Sequence, residues 1–239
     1  CLPIPPLGHN VGWFATVCIL FCSCKLRKQD SEQAMLFRTL QAAQIAWQRG
    51  DDVEFESIVR TPSENSEMFL ALAARLYTQR GRSNWDLSDL QKGKQYALQC
   101  LWTDFHFRTL VAANQGLVNA QSVKALDINN PTLVECGRWL TISWTLAMHK
   151  RDLQGVQSDV ETVKKLGVWL NAIPSMQDDP WTQYATLLTL SIGDVDWPEL
   201  RDAFDEIGDF DSLIQFERNM MYTRFTDRQA FCEFPIEDT

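Results

Sequence analysis

The sequence predicts an all-α fold: an irregular array of antiparallel helical hairpins preceded by a hydrophobic N-terminal helix. Three observations predict it. From Asp30 onward apolar residues recur at helical spacing, capping residues followed by proline mark helix starts, and turn signals recur at positions 50, 81, 116, 151 and 193. No segment shows the sustained alternation of apolar and polar residues that is typical of a half-buried strand.

The N-terminal segment, residues 1–29, predicts attachment to a membrane. Val11 to Cys24 is a run of 14 uncharged residues, which as a helix would be about 21 Å long. A bilayer core is about 30 Å thick, so the length favours the apolar region of a secretory signal over a full span. The basic residues Lys25, Arg27 and Lys28 follow the run directly.

The end of this run, Phe21-Cys22-Ser23-Cys24, resembles the bacterial lipobox. That resemblance implies cleavage before Cys24, lipidation of Cys24 and export of the body. The basic residues that follow the run indicate instead that the body stays in the cytoplasm, because positively charged segments next to an apolar run are retained on that side of the membrane. A single-pass anchor with a cytoplasmic body would make Cys22 and Cys24 palmitoylation candidates. A third alternative is a buried helix of the domain. The side of the membrane stays undecided.

Helix periodicity and caps are clearest in two parts of the body, residues 30–239. Two sets of residues lie on one helical face each, namely Leu36, Leu40, Ala43 and Trp47, and Leu133, Gly137, Leu140, Trp144 and Ala147. Asn130-Pro131 and Asp179-Pro180 each place a capping side chain before a proline. We therefore expect a helix from Pro131 to about Lys150 and another from Pro180.

Two stretches resemble tetratricopeptide repeats. "QIAWQRGDDVEF" matches the end of one helix, a Gly-Asp turn and the start of the next, and "KALDINNPTL" matches the junction between two repeats. The resemblance covers residues 35 to about 207 and implies stacked hairpins that bind another protein. Phe55 stands where the family has a small residue, and the helix from Pro131 is longer than a repeat helix. We expect an irregular array, with residues 209–239 as a capping helix and tail.

Composition and charge limit the function. The 239 residues are 45% hydrophobic and 22% charged, as in an ordered globular protein. The net charge of −9 argues against binding to nucleic acid. Small basic clusters, Arg75 with Arg80 and Arg82, and Lys92 with Lys94, have acidic neighbours that offset them.

The seven cysteines fall into two groups. Four cysteines lie in or before the hydrophobic run of the N-terminal segment, namely Cys1, Cys18, Cys22 and Cys24. The other three lie in the body, namely Cys100, Cys136 and Cys232. Their wide spacing and odd number indicate that the fold does not depend on disulfides. We interpret the body cysteines as small buried hydrophobic residues.

Catalytic and metal-binding patterns are missing from the sequence. His9, His106 and His149 stand alone, and Asp104 and His106, two residues apart, would point to different faces of a helix. The sequence contains no GxSxG, GxxxxGK or GxGxxG motif. We therefore assign no catalytic, cofactor-binding or metal-binding residue and expect no cofactor.

The acidic stretch from Asp194 to Asp211 is the strongest candidate for a docking site. It is either the solvated face of a helix or a docking surface for a basic segment of a partner protein. The candidate docking residues are Asp202, Asp205, Glu206, Asp209 and Asp211. Seven tryptophans are expected mostly in the core, or else as anchors for a peptide, namely Trp47, Trp102, Trp139, Trp144, Trp169, Trp181 and Trp197.

These observations predict a non-catalytic, membrane-tethered scaffold or assembly factor that works by binding other proteins. One alternative is an accessory single-span subunit of a membrane protein complex. Another is a hydrolase or transferase on an irregular helical scaffold, which a closed pocket at His106 or His149 would favour.

Overall fold

The computed structural model describes residues 34–60, 66–151, 157–177 and 179–193, and every regular element in these ranges is helical. The predicted all-α class is therefore confirmed for this part of the chain. The predicted tether (1–29) and the predicted capping helix and tail (209–239) lie outside it. Within the described ranges, no helix is both long and apolar enough to cross a bilayer.

The helices follow one another with short connections. Residues 34–48 form α1. The others are α2 (Asp52–Arg60), α3 (Glu67–Ser83), α4 (Leu87–Leu101), α5 (Phe105–Ala113), α6 (Ala120–Lys124), α7 (Pro131–Lys150), α8 (Gln157–Asn171) and α9 (Pro180–Leu190), with a 3₁₀ turn at Pro174–Met176. They belong to two compact units divided between Thr61 and Pro62.

In the first unit a glycine turn joins α1 to α2, as the sequence predicts. Gly50 has a φ of 70°, and the amides of Gly50 and Asp51 donate to the carbonyls of Trp47 and Ala46. This pair of hydrogen bonds is a Schellman motif, which satisfies carbonyls at the end of α1. Ala43, Ala46 and Phe55 are fully buried.

In the second unit α7 is the central helix. It packs against α3, α4, α8 and α9, while α3 also packs directly on α4. The sequence predicts one apolar face for α7, but the structure buries nearly every residue from Leu133 to His149. A helix in the middle of a bundle must bury all of its faces, so its polar residues must find partners inside the core.

The predicted caps of α7 and α9 are confirmed. The Asn130 side chain accepts hydrogen bonds from the amides of Thr132 and Leu133, and α7 runs from Pro131 to Lys150. The Asp179 side chain accepts a hydrogen bond from the Thr182 amide, and α9 begins at Pro180. Both helices place proline at the first position, where no intrahelical amide is lost.

The predicted turn at Gly81 is wrong. Gly81 lies inside α3, where an added Cβ would stand 2.8 Å from the backbone nitrogen of Leu90. The turn comes later, at Trp85, which has a φ of 51°. The amides of Trp85 and Asp86 donate to the carbonyls of Arg82 and Gly81, again as a Schellman motif. Gly81 therefore serves the close approach of α3 and α4 rather than a turn.

The interpretation of Cys100 and Cys136 as plain hydrophobic residues is also wrong. Both are fully buried, and they form a disulfide that joins the end of α4 to α7 across a sequence separation of 36 residues. Spacing along the chain did not indicate this pair, because only the packing of α7 against α4 brings the two Cα atoms within 6.2 Å.

Candidate functional site

The described residues contain a group of charges and rings that we call the arginine–tryptophan cluster, which consists of Arg75, Arg82, Arg138, Trp139, Trp181 and the carboxylates Glu135 and Asp179. Arg75 and Arg82 are seven residues apart on α3, so they lie on one face of that helix. Arg138 and Trp139 lie on α7, and Trp181 lies in the first turn of α9. The ring centroids of Trp139 and Trp181 are 5.1 Å apart.

Arg138 is the ion-paired member of the cluster. It is 7% exposed and binds the carboxylates of both Asp179 and Glu135. Glu135 also accepts a hydrogen bond from the indole N–H of Trp139. Burial lowers the pKa of Arg138, and Asp179 opposes that shift. The two carboxylates therefore hold a buried guanidinium between α7 and α9.

Arg75 and Arg82 contact aromatic rings. The guanidinium carbon of Arg75 lies 5.9 Å from the centroid of Trp139. The corresponding atom of Arg82 lies 4.9 Å from the centroid of Trp181 and 5.5 Å from that of Tyr184. Cations at these distances from a ring face are attracted to its π electrons.

Arg75 differs from Arg138 in forming no ion pair with a carboxylate among the described residues. The Nε atoms of Arg75, Arg82 and Arg138 are all buried without an acceptor in the described part of the chain. Burial lowers the pKa of Arg75, against the attraction of Asp179, which acts through space. Both neighbouring carboxylates, Glu135 and Asp179, bind Arg138 instead.

Other cations of the predicted basic groups have structural partners. Arg80 and Asp89, both buried, form a bidentate pair with distances of 2.6 and 2.7 Å, which joins α3 to α4. The Nζ of Lys94 lies 3.5 Å from the centroid of Trp144. Burial lowers the pKa of Lys94 to about 8. These contacts account for the packing of the basic residues near positions 80 and 94.

His149 and Ser191 are the one pair among the described residues that resembles a catalytic dyad, because the His149 Nε2 lies 2.8 Å from the Ser191 Oγ. The Ser191 hydroxyl donates to the carbonyl of Leu188, and the His149 tautomer that fits this arrangement carries its proton on Nε2 and donates to Ser191. A histidine in this state cannot take the serine proton. Exposures of 5% and 0% also keep substrate away. The pair connects the end of α7 to the residue after α9.

Asp104 and His106 do not form a site. The Asp104 carboxylate accepts a hydrogen bond from the Phe107 amide and caps α5, while His106 is exposed. Within the described ranges no group of three or more His, Cys, Asp or Glu residues could hold a metal ion.

The predicted site residues and the structural cluster do not coincide. The lipidation candidates Cys22 and Cys24 lie outside the described residues, as do the docking candidates Asp202, Asp205, Glu206, Asp209 and Asp211. Sequence reasoning noted Arg75 and Arg82 but missed Arg138 and Glu135. The sequence did contain a signal for Arg138 and Glu135, because a charged residue within the hydrophobic sequence of α7 must pair with an opposite charge when it is buried.

Comparison with protein-family models, with curated proteins and with solved structures finds no match to this chain. The resemblances to tetratricopeptide repeats and to the lipobox therefore stay predictions.

Proposed function

We propose that this chain is an exported, membrane-tethered and non-catalytic scaffold that binds other proteins. The disulfide between Cys100 and Cys136 carries the proposal. Disulfides persist in secreted and periplasmic proteins and are rare in a reducing cytoplasm. The bond therefore supports the exported lipoprotein over the anchor with a cytoplasmic body, the choice that the N-terminal segment leaves open.

A tetratricopeptide-like array is the architecture that we propose for the scaffold. The pairs α1 with α2, joined by the Gly50 turn, and α3 with α4, packed along their length, support it. The direct packing of α7 on α3 and α4 makes the array irregular. An array of this kind offers an extended surface for a partner rather than a closed reaction chamber.

The acidic stretch remains the proposed docking surface for a basic segment of a partner. Replacement of Asp202, Asp205 and Asp209 by lysine would repel such a segment. We expect this triple variant to lose the partner that co-purifies with the wild-type chain. A variant with lysine at Glu54 on α2, which is not part of the acidic stretch in the sequence, is the control and should keep the partner. Retention of every partner by the triple variant would contradict the docking proposal.

Two measurements test whether the chain is attached to a membrane and whether its body is exported. They are the intact mass and the N-terminus of protein that is extracted from its native membrane with detergent. A chain that begins at Cys24 and carries added lipid mass is the expected result. The variant Cys24→Ala should lose the lipid, whereas the matched control Cys22→Ala should keep it. An uncleaved chain that retains residues 14–23, with Cys100 and Cys136 as free thiols, would overturn the exported location.

A further inference from the structure

Lys94 is a half-buried lysine in the middle of α4 whose amine lies on an aromatic ring. Its Nζ is 3.5 Å from the ring centroid of Trp144, which belongs to α7 and is only 7% exposed. Within the described part of the chain, this amine has no hydrogen-bond acceptor and no carboxylate at ion-pair distance. Contact with the ring has therefore replaced part of the water around the amine without providing an oxygen partner.

Two charges from other elements act on the amine through space. Asp159, in the first turn of α8, favours the protonated form, and Arg151, directly after α7, disfavours it. Burial has a larger effect than either charge and lowers the pKa of Lys94 to about 8. Because an ordinary lysine has a pKa of about 10.4, the neutral fraction of this amine near neutral pH is roughly 200-fold larger than usual.

A neutral lysine amine is a nucleophile, and removal from water together with a neighbouring cation is the usual way in which proteins activate one. Carbonyl compounds are the electrophiles that such amines attack. Acyl donors would convert the amine to an amide without charge. Aldehydes would convert it to an imine, which takes up a proton and becomes a cation again.

The surroundings of Lys94 favour the imine over the amide. The face of Trp144 attracts a cation, and an amide would lose that attraction. A lysine ammonium is compact and strongly hydrated, so its burial is costly. A protonated imine carries the same charge on a larger group with fewer N–H donors, so its burial costs less.

We propose that Lys94, which lies on the ring of Trp144, is a covalent binding site for a small aldehyde. The lone pair of the neutral amine attacks the carbonyl carbon, the carbonyl oxygen takes up protons and leaves as water, and a carbon–nitrogen double bond remains. The step needs no oxidant or reductant. The inference goes beyond the proposed scaffold and does not depend on it, because it requires neither a tether nor a protein partner.

The test is reductive trapping on the purified full chain near neutral pH. The chain is treated with propionaldehyde and an excess of sodium cyanoborohydride, which reduces each imine to a stable amine, and peptide mass mapping gives the rate at each lysine. We expect Lys94 to react at least about fivefold faster than Lys124 and Lys165. Those two lysines are exposed, so accessibility alone predicts the reverse order. In concentrated urea the difference should disappear.

Substitution of the two neighbouring charges tests whether the surroundings set this reactivity. Asp159→Asn should raise the trapping rate at Lys94 and Arg151→Gln should lower it, each by roughly two- to threefold. Glu161→Gln is the matched control and should leave the rate unchanged, because Glu161 is exposed and lies two residues from Asp159, on another side of α8. A purely structural contact between Lys94 and Trp144 predicts no such opposite shifts.

Three results would overturn the proposal: a rate at Lys94 no higher than at the exposed lysines, shifts of the same sign in Asp159→Asn and Arg151→Gln, or rapid acetylation of Lys94 without aldehyde trapping. If either variant fails to fold, the pH profile of the wild-type chain replaces it. The rate at Lys94 should then level off above about pH 8. A rate that still rises at about pH 10 would contradict the proposal. The measurement uses purified protein, so its failure leaves the tether, the location and the docking stretch untouched.

Discussion

At the scale of single residues, Asp179 has two structural roles. Its side chain accepts a hydrogen bond of 2.8 Å from the Thr182 amide at the start of α9, and its carboxylate binds Arg138 of α7. The first role needs only an oxygen acceptor, whereas the second needs a charge. Two substitutions can therefore separate them, because asparagine caps a helix as well as aspartate does.

We expect Asp179→Asn to lower the free energy of unfolding by about 2 kcal/mol, because the buried guanidinium of Arg138 loses one of its two carboxylates. Asp179→Ala should lower it by about 1 kcal/mol more, since the cap is lost as well. Urea denaturation measures both values. If Asp179→Asn and Asp179→Ala are equally stable, the cap contributes nothing. If both variants are as stable as the wild-type chain, the ion pair contributes nothing either.

The ion pair also predicts a dependence on pH. Burial by itself would raise the pKa of Asp179, but the hydrogen bond and charge of Arg138 outweigh it and lower the pKa. A carboxylate with a lowered pKa stabilises the fold above its unfolded pKa of about 3.9, and this contribution is lost as the pH falls through the folded value. The stability difference between wild type and Asp179→Asn should therefore be constant near neutral pH and shrink in acid. A difference that grows in acid would contradict the assignment.

Lys94 predicts a second pH dependence, which has the same sign as that of Asp179 but lies at high pH. Burial lowers its pKa to about 8, so between about pH 8 and 10.4 the unfolded chain binds more protons than the folded one. The free energy of unfolding should rise over this range by up to about 3 kcal/mol, less the part that the face of Trp144 offsets. Denaturation of wild type and Lys94→Met across this range measures the effect. Parallel curves for the two proteins would contradict it.

At the scale of helices, glycine sets the distance between α3 and α4. A Cβ at position 93 would stand 2.4 Å from the Oγ1 of Thr78, 3.1 Å from the backbone nitrogen of Thr78 and 3.3 Å from the carbonyl oxygen of Ala74. Alanine is the better helix former by about 1 kcal/mol. Two opposing effects therefore act at this position, and the overlap with backbone atoms is expected to dominate.

We expect Gly93→Ala to lower the free energy of unfolding by about 1–3 kcal/mol. The double variant Gly93→Ala with Thr78→Ala should recover part of that loss. Thr78 Oγ1 is buried with no hydrogen-bond partner among the described residues, so its removal breaks no contact that the structure shows. A double-mutant cycle by thermal denaturation measures the coupling. A more stable Gly93→Ala chain would mean that α3 and α4 can move apart freely.

At the scale of the whole molecule, the disulfide joins two helices that lie far apart in the sequence. It closes a loop over a sequence separation of 36 residues, which includes α5 and α6. We expect the double variant Cys100→Ala with Cys136→Ala to lose about 2–4 kcal/mol of stability, chiefly because the unfolded chain gains freedom. Denaturation with and without a reductant measures this. The reductant should destabilise the wild-type chain alone; equal stability of both proteins would contradict the bond.

Local features were predictable from the sequence wherever neighbouring residues decide them. Asn130 and Asp179 cap the helices that follow them, and Gly50 forms a turn. The prediction failed at Gly81, where a glycine between polar residues has the same local pattern as a turn. Contact with Leu90 of α4 explains that glycine, and no neighbour in the sequence reveals such a contact.

The sequence by itself therefore determined the helical class, the starts of α7 and α9 and the length of α7, because periodicity, caps and proline act over a few residues. The pairing of Cys100 with Cys136 and the meeting of Arg75, Arg138 and Trp181 were decided only by the tertiary structure. These groups come from helices separated by tens of residues. Their contacts depend on how the buried faces of α3, α4, α7 and α9 pack, which is a property of the whole core.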